Sequence, residues 1–124
     1  MDRRIKRVKT LLEEQYRNPP SVHELAVTVG LSASRLAHLF RDEVGKSVRS
    51  YIVERRLNTA AVLILQTDER ISQIAYGVGF NDISNFNHAF KKKFGMPPGA
   101  YRQSHEREKE SRAAAEAEER DPSP

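Results

Sequence analysis

One pattern occurs twice in this chain, and that duplication restricts the fold more than any other feature. Residues 24–45, ELAVTVGLSASRLAHLFRDEVG, return in outline at 73–95 as QIAYGVGFNDISNFNHAFKKKFG. The copies run at an offset of 49 through Leu25 and Ile74, Ala26 and Ala75, Gly30 and Gly79, and Leu31 and Phe80. From there the offset is 50, pairing Leu36 with Phe86, His38 with His88, Phe40 with Phe90 and Gly45 with Gly95. One residue has been gained at the start of the second helix of the later copy.

Each copy reads as a short helix, a glycine, an apolar residue, a Ser or Asn placed to cap, and a second helix with apolar residues three or four apart. Gly30 and Gly79 can take the positive φ that ends the first helix and turns the chain. Leu31 and Phe80 then plug the angle between the helices, and the small Ala26 and Ala75 let them approach. A turn of this kind, with the N-terminal end of the second helix exposed, is the geometry that places a helix end in the DNA major groove.

At 124 residues the chain suffices for one compact domain, or for two small helical subdomains sharing a helix. No long apolar run suggests a membrane span, and the opening MDRRIKRVKT lacks the apolar stretch of about 7–15 residues that a secretory signal needs. With no cysteine there is no disulfide or thiolate zinc site, which fits a reducing cytoplasm. Charge is uneven. Residues 105–124 hold four Lys or Arg against seven Asp or Glu, so a chain of formal charge +4 has a body of +7. A basic body suits a polyanionic partner.

Ile5, Val8, Leu11, Leu12 and Tyr16 make an apolar stripe on a first helix that Asn18-Pro19-Pro20 stops. Ser21 with Glu24 forms a capping box for a helix over 21–29, in which Val22, Leu25, Ala26 and Val29 face inward. Ser32 opens a helix to about Val44 with Leu36, Leu39 and Phe40 inside. The longest helix runs from Ser47 to about Gln66, with Tyr51, Ile52, Leu57, Ala61, Ile64 and Leu65 available to both neighbours. Helix 71–78 follows, then one from about Asn81 to Phe94 that buries Phe86, Phe90 and Phe94. The expected division is a first helix-turn-helix subdomain at 1–46, a linking helix at 47–66, a second subdomain at 67–104 and a charged, disordered tail at 105–124. That tail has helix formers and pairs such as Glu108 with Arg112, but almost no apolar face.

Several segments carry a more specific likeness. Arg56-Leu57, Ala60, Leu63-Ile64, Ile71, Ile74-Ala75 and Val78-Gly79-Phe80, then Ser84, Phe86, Phe90-Lys91-Lys92, Gly95, Pro98 and Tyr101-Arg102, make residues 21–102 resemble the DNA-binding module of the AraC/XylS family of bacterial transcription regulators. The resemblance implies an all-α module of seven helices with two helix-turn-helix subdomains, binding adjacent major grooves and acting mostly as an activator that touches RNA polymerase. Carried over position by position, it makes Ala33, Ser34, Ala37 and His38 base-facing in the first recognition helix, and Ile83, Ser84, Asn85 and His88 in the second. Most members carry a further sensor and dimerisation domain. The chain is expected to be either the C-terminal portion of a longer regulator or one of the stand-alone members, with the lack of a ligand pocket favouring the former; the module is expected to be monomeric and a whole regulator dimeric.

Helical geometry independently puts Ser34, Ala37, His38 and Arg41 opposite the stripe of Leu36, Leu39 and Phe40, and Ser84, Asn85 and His88 off the phenylalanine stripe. Asn85 can bind adenine through two hydrogen bonds, His38 and His88 can reach guanine acceptors or a phosphate, and Ala37 offers apolar contact to a thymine methyl. Arg35, Arg41, Lys46, Lys91, Lys92 and Lys93 are phosphate-contact candidates, joined by backbone N–H groups near residues 21, 47 and 71.

Other function classes fare less well. His23, His38, His88 and His105 lack close ligand spacing, so neither a metal nor acid–base catalysis is expected, and no cofactor is implied. Gly77-Val78-Gly79 lacks the strand and third glycine of a phosphate-binding loop. The rivals are a helical protein-interaction module and a non-specific coat for nucleic acid. Short polar side chains at the exposed starts of both second helices favour sequence reading, since a partner groove would more often expose large apolar residues there.

Overall fold

The computed structural model describes residues 1–120, which form seven helices and no strand: α1 (Arg3–Glu14), α2 (Val22–Val29), α3 (Ala33–Val44), α4 (Val48–Gln66), α5 (Ile71–Gly77), α6 (Ile83–Phe94) and α7 (Pro98–Arg120). Side-chain oxygens set most of the helix starts. Ser21, Ser32 and Ser47 accept from the backbone N–H groups of Glu24, Arg35 and Ser50, each at 3.1 Å. Asp82 accepts from Asn85 at 3.2 Å. Each bond satisfies an N–H that the helix itself leaves without a partner. Because Asp82 is the cap of α6, the residue gained in the later copy is Asn81. It lies ahead of the cap, not at the helix start as its sequence suggests.

The two turns repeat hydrogen bond for hydrogen bond. The Leu31 N–H donates to the Ala26 carbonyl at 2.9 Å and that of Gly30 to Val27 at 3.2 Å; at the same offset, Phe80 donates to Ala75 at 3.0 Å and Gly79 to Tyr76 at 3.1 Å. This paired closure requires a left-handed residue, supplied by Gly30 at φ 73° and Gly79 at φ 112°.

Contrary to the apolar stripe, α1 stops at Glu14 and Tyr16 leaves it for a different core. The reason is chemical. A helix continuing past Tyr16 would need N–H donors at positions 19 and 20, and both are proline. Two cores result. Ile5, Val8 and Leu12 of α1 meet Leu25, Ala26, Leu36, Phe40 and Val48, while Tyr16 joins Leu57, Ala60, Ile64, Ile74, Ala75, Phe80, Phe86 and Phe90. The first half of α4 serves the first core and its second half the other, as one rigid axle between two units. Phe94, expected to be buried, is only partly so; its ring lies 4.5 Å from Phe90 and 5.4 Å from Tyr101, at the rim of the second core.

Residues 105–120 are helical, where a disordered tail was expected. Glu, Lys, Arg and Ala are strong helix formers, and α7 is already nucleated by Tyr101 and by Arg102, so the segment continues a formed helix. From Glu106 to Glu119 it is exposed throughout. Residues 121–124 of the expected tail lie outside the described residues.

Candidate nucleic-acid interface

The exposed start of each recognition helix is held by three devices: an N-cap, a glycine-ended helix before it, and large side chains beneath it. In α3, Leu36 and Phe40 are wholly buried and leave Ser34, Arg35, Ala37, His38 and Arg41 in solvent. In α6, Phe86 and Phe90 do the same, leaving Ser84, Asn85, Asn87, His88, Lys91 and Lys92 exposed. Ala33 and Ile83, first residues of their helices, are partly buried and pack against their own cores. They present an edge outward, not a free side chain.

Ser34, Ala37, His38 and Arg41 line a shallow cleft whose opposite wall is Ser47, Val48 and Arg49 at the start of α4. His38 Nε2 lies 3.4 Å from Asp42 Oδ2, one turn along the same helix, and its side chain is 83% exposed. Asn85 lines a second cleft with Asp82, Ala89, Pro19, Pro20 and, again, Arg49. The clefts share Val22, Val48 and Arg49, so the start of α4 stands between the two recognition helices.

The basic residues divide into two groups. Arg35, Arg41, Lys91 and Lys92 are exposed and make no ion pair among the described residues. Lys46 and Lys93 instead converge on Glu54 of α4: Lys46 Nζ pairs with Oε2, and Lys93 Nζ lies 3.3 Å from Oε1. Hydrogen bonds from Lys46 and then Lys93 hold the Glu54 carboxyl below its ordinary pKa. One carboxylate therefore ties the turn after α3 to the last turn of α6. The last turns also differ in charge, with Lys91, Lys92 and Lys93 of α6 in register with Arg41, Asp42 and Glu43 of α3.

Two exposed residues escaped the sequence reading. Asn87 occupies in α6 the position that Ala37 holds in α3, and the offset of 50 alone identifies it. Arg49 gave no signal by spacing, because only the packing of α4 between the heads brings it to both clefts.

A family model described as "Helix-turn-helix domain" matches residues 25–104. The chain is 41% identical over 95 residues to the uncharacterized HTH-type transcriptional regulator YbfP of Bacillus subtilis, covering 77% of this chain and 31% of that protein. To the transcriptional activator NphR of Rhodococcus it is 30% identical over 102 residues, covering 82% and 30%. It thus spans just under a third of the length of these curated relatives. A transcriptional regulator from Chromobacterium violaceum, described as an AraC-type DNA-binding domain-containing protein, superposes with a TM-score of 0.75 at 29% identity, over 82% of this chain and 91% of that one. The seven-helix fold, the duplicated turn and the matched span agree, and the chain belongs to the AraC-type family of helix-turn-helix DNA-binding domains of transcription regulators.

Proposed function

We propose that this domain reads a specific, non-palindromic double-stranded DNA site as a monomer, with α3 and α6 in adjacent major grooves. The observation that carries this reading is the construction of one helix-turn-helix twice, at opposite halves of a shared 19-residue helix. Such a helix is about 28 Å long, close to the roughly 34 Å repeat that separates half-sites on one face of B-DNA. One chain can then do what a dimer does for a palindrome. Its two heads differ in sequence, so the site has a direction.

In this reading Ser34, Ala37 and His38 face bases in one groove and Ser84, Asn85 and His88 in the other, with Ala33 and Ile83 as apolar edges. Arg35, Arg41, Lys91 and Lys92 take phosphates. Lys46 and Lys93 act chiefly through Glu54, setting the ends of α3 and α6 against α4. The regulator carrying the domain activates transcription through contact with RNA polymerase in the bacterial cytoplasm. The activator name of NphR, a relative, supports that direction.

Selection of bound duplexes from a random pool at near-physiological salt tests the reading. Two unlike half-sites about 10 base pairs apart are expected. Enrichment of one half-site would reduce the second unit to backbone contact, and no enrichment would favour a protein-interaction module. Transcription in vitro with purified polymerase on the selected site, in the regulator's presence and absence, decides activation.

A further inference from the structure

Between the recognition helices the surface narrows to a saddle made by the Pro19-Pro20 turn and the first turns of α2 and α4. Arg49 is the charged residue common to both flanking clefts. It lies with Ala37, His38 and Arg41 on one side and with Asp82 and Asn85 on the other. It is exposed and makes no ion pair among the described residues.

Of the neighbouring charges, Arg41 makes no ion pair among the described residues and belongs to the first head alone, while those on the other side are already engaged. Arg56 turns inward to the Tyr16 carbonyl, and Asp82 caps α6. Pro19 and Pro20 have no N–H to offer an anion. Arg49 also stands in the first turn of α4, where the aligned peptide dipoles already present positive charge and a cation is unfavourable. A side chain that breaks a local rule with no compensating partner marks a place where function is expected.

When two helices sit in successive major grooves on one face of a duplex, the strands bordering the minor groove between them pass across the protein's midline. On this domain the midline is the saddle. We infer that Arg49 receives a phosphate of that crossing strand, and that it does so only when both heads are seated. A duplex held by one head need not run across the saddle, so the contact rewards simultaneous engagement. Arg49 is then a positioning residue for the two-headed site and carries no base preference. This rests on the two-groove reading above.

The test is a binding titration by fluorescence anisotropy over a salt series. It uses the selected full site and two short duplexes, each holding one half-site and ending before the spacer. Arg49→Gln is expected to weaken full-site binding about tenfold, lower the slope of log K against log salt by about one, and leave half-site binding unchanged. Arg49→Lys should recover most of the loss. Equal loss on a half-site duplex would assign Arg49 to a single head, and loss confined to A·T-rich spacers would assign it to the minor groove. No loss would leave it a solvated charge, and each of these three results overturns the inference. Wild-type protein that selects no two-part site defeats the two-groove reading itself, whereas wild-type selection with an indifferent R49Q defeats this inference alone. Unchanged melting midpoints of the exposed-site variants establish that the samples are folded.

Discussion

Arg56 Nε donates to the main-chain carbonyl of Tyr16 at 2.8 Å, joining the middle of α4 to the segment that follows α1 across 40 residues of sequence. That carbonyl lies just past the end of α1, and Pro20, four residues later, has no N–H to offer it. The same guanidinium lies 5.8 Å from the centre of the Phe80 ring, in the turn of the second head. One side chain therefore fastens the first helix, the axle and the second helix-turn-helix, and its burial lowers its pKa.

Removing that fastening should act on stability before it acts on reading. Arg56→Ala strands a partly buried carbonyl and is expected to cost about 1–3 kcal/mol, seen as a lower midpoint in urea. Arg56→Lys should recover little, since an ammonium cannot both lie on Phe80 and reach Tyr16 as the flat guanidinium does. A variant as stable as wild type would show the bond to be incidental.

Gly79 faces the same junction from the other side. A Cβ there would lie 2.7 Å from the Arg17 carbonyl oxygen and 2.7 Å from Arg56 Nε, at φ 112°. Gly30, its counterpart at φ 73°, has nothing within 4 Å. Gly79→Ala should therefore destabilise the domain by more than Gly30→Ala, which bears only the left-handed cost of about 1 kcal/mol. Parallel chemical denaturation of the two variants measures the difference; equal losses would mean that the Arg17 carbonyl and Arg56 both yield freely.

Arg102 closes the far end of α4, with Nε at 2.9 Å from the Ile64 carbonyl oxygen and Nη2 at 3.2 Å from that of Thr67. These carbonyls lie at a helix end, where no intrahelical donor reaches them. Arg102→Ala should cost about 1.5–3 kcal/mol, the range for bonds to charged groups. Hydrogen exchange should speed up in the last turn of α4 and the start of α7. Exchange altered only beyond residue 106 would place the role of Arg102 elsewhere.

The parts of the fold that follow from local chemistry were legible in the sequence. Ser21, Ser32 and Ser47 cap as their positions suggest, and Gly30 and Gly79 turn as the repeat requires, because each acts within a few residues of itself. Tyr16 was misplaced because period alone cannot tell one core from another; only the partners brought by α4 decide it. The same holds for the candidate site. Exposure of Ser34, His38, Ser84 and His88 follows from helical spacing, whereas the pairing of Lys46 and Lys93 with Glu54 depends on two helices meeting a third. Arg49 belongs to this second kind.

The base assignments separate Asn85 from Asn87. Both are exposed, yet Asn85 faces the cleft beside α4, while Asn87 stands where Ala37 stands in the first head. Asn85→Ala is expected to cost about 1–3 kcal/mol at one base position and little on sites altered there. Binding measured on a panel of single-base variants of the selected site decides it. A loss uniform across the panel would make Asn85 a backbone contact, and a position-specific loss in Asn87→Ala alone would transfer the reading to that residue.

Glu54 gives the two lysines their counter-charge and should give the domain a pH signature. Its folded pKa lies below the ordinary 4.5, so the native state holds the carboxylate more tightly than the unfolded chain does. The stabilisation is fully present above about pH 5 and fades as the pH falls through the lowered folded value, because the unfolded chain takes up the proton first. The side chain is 37% exposed, so solvent screening keeps the effect small. Wild type should therefore be the more stable protein at neutral pH, and its melting curve should converge on that of Glu54→Gln as the solution is acidified through the lowered folded value. Melting midpoints of the two proteins that differ by the same amount at neutral and acid pH would remove the ion pairs as the cause.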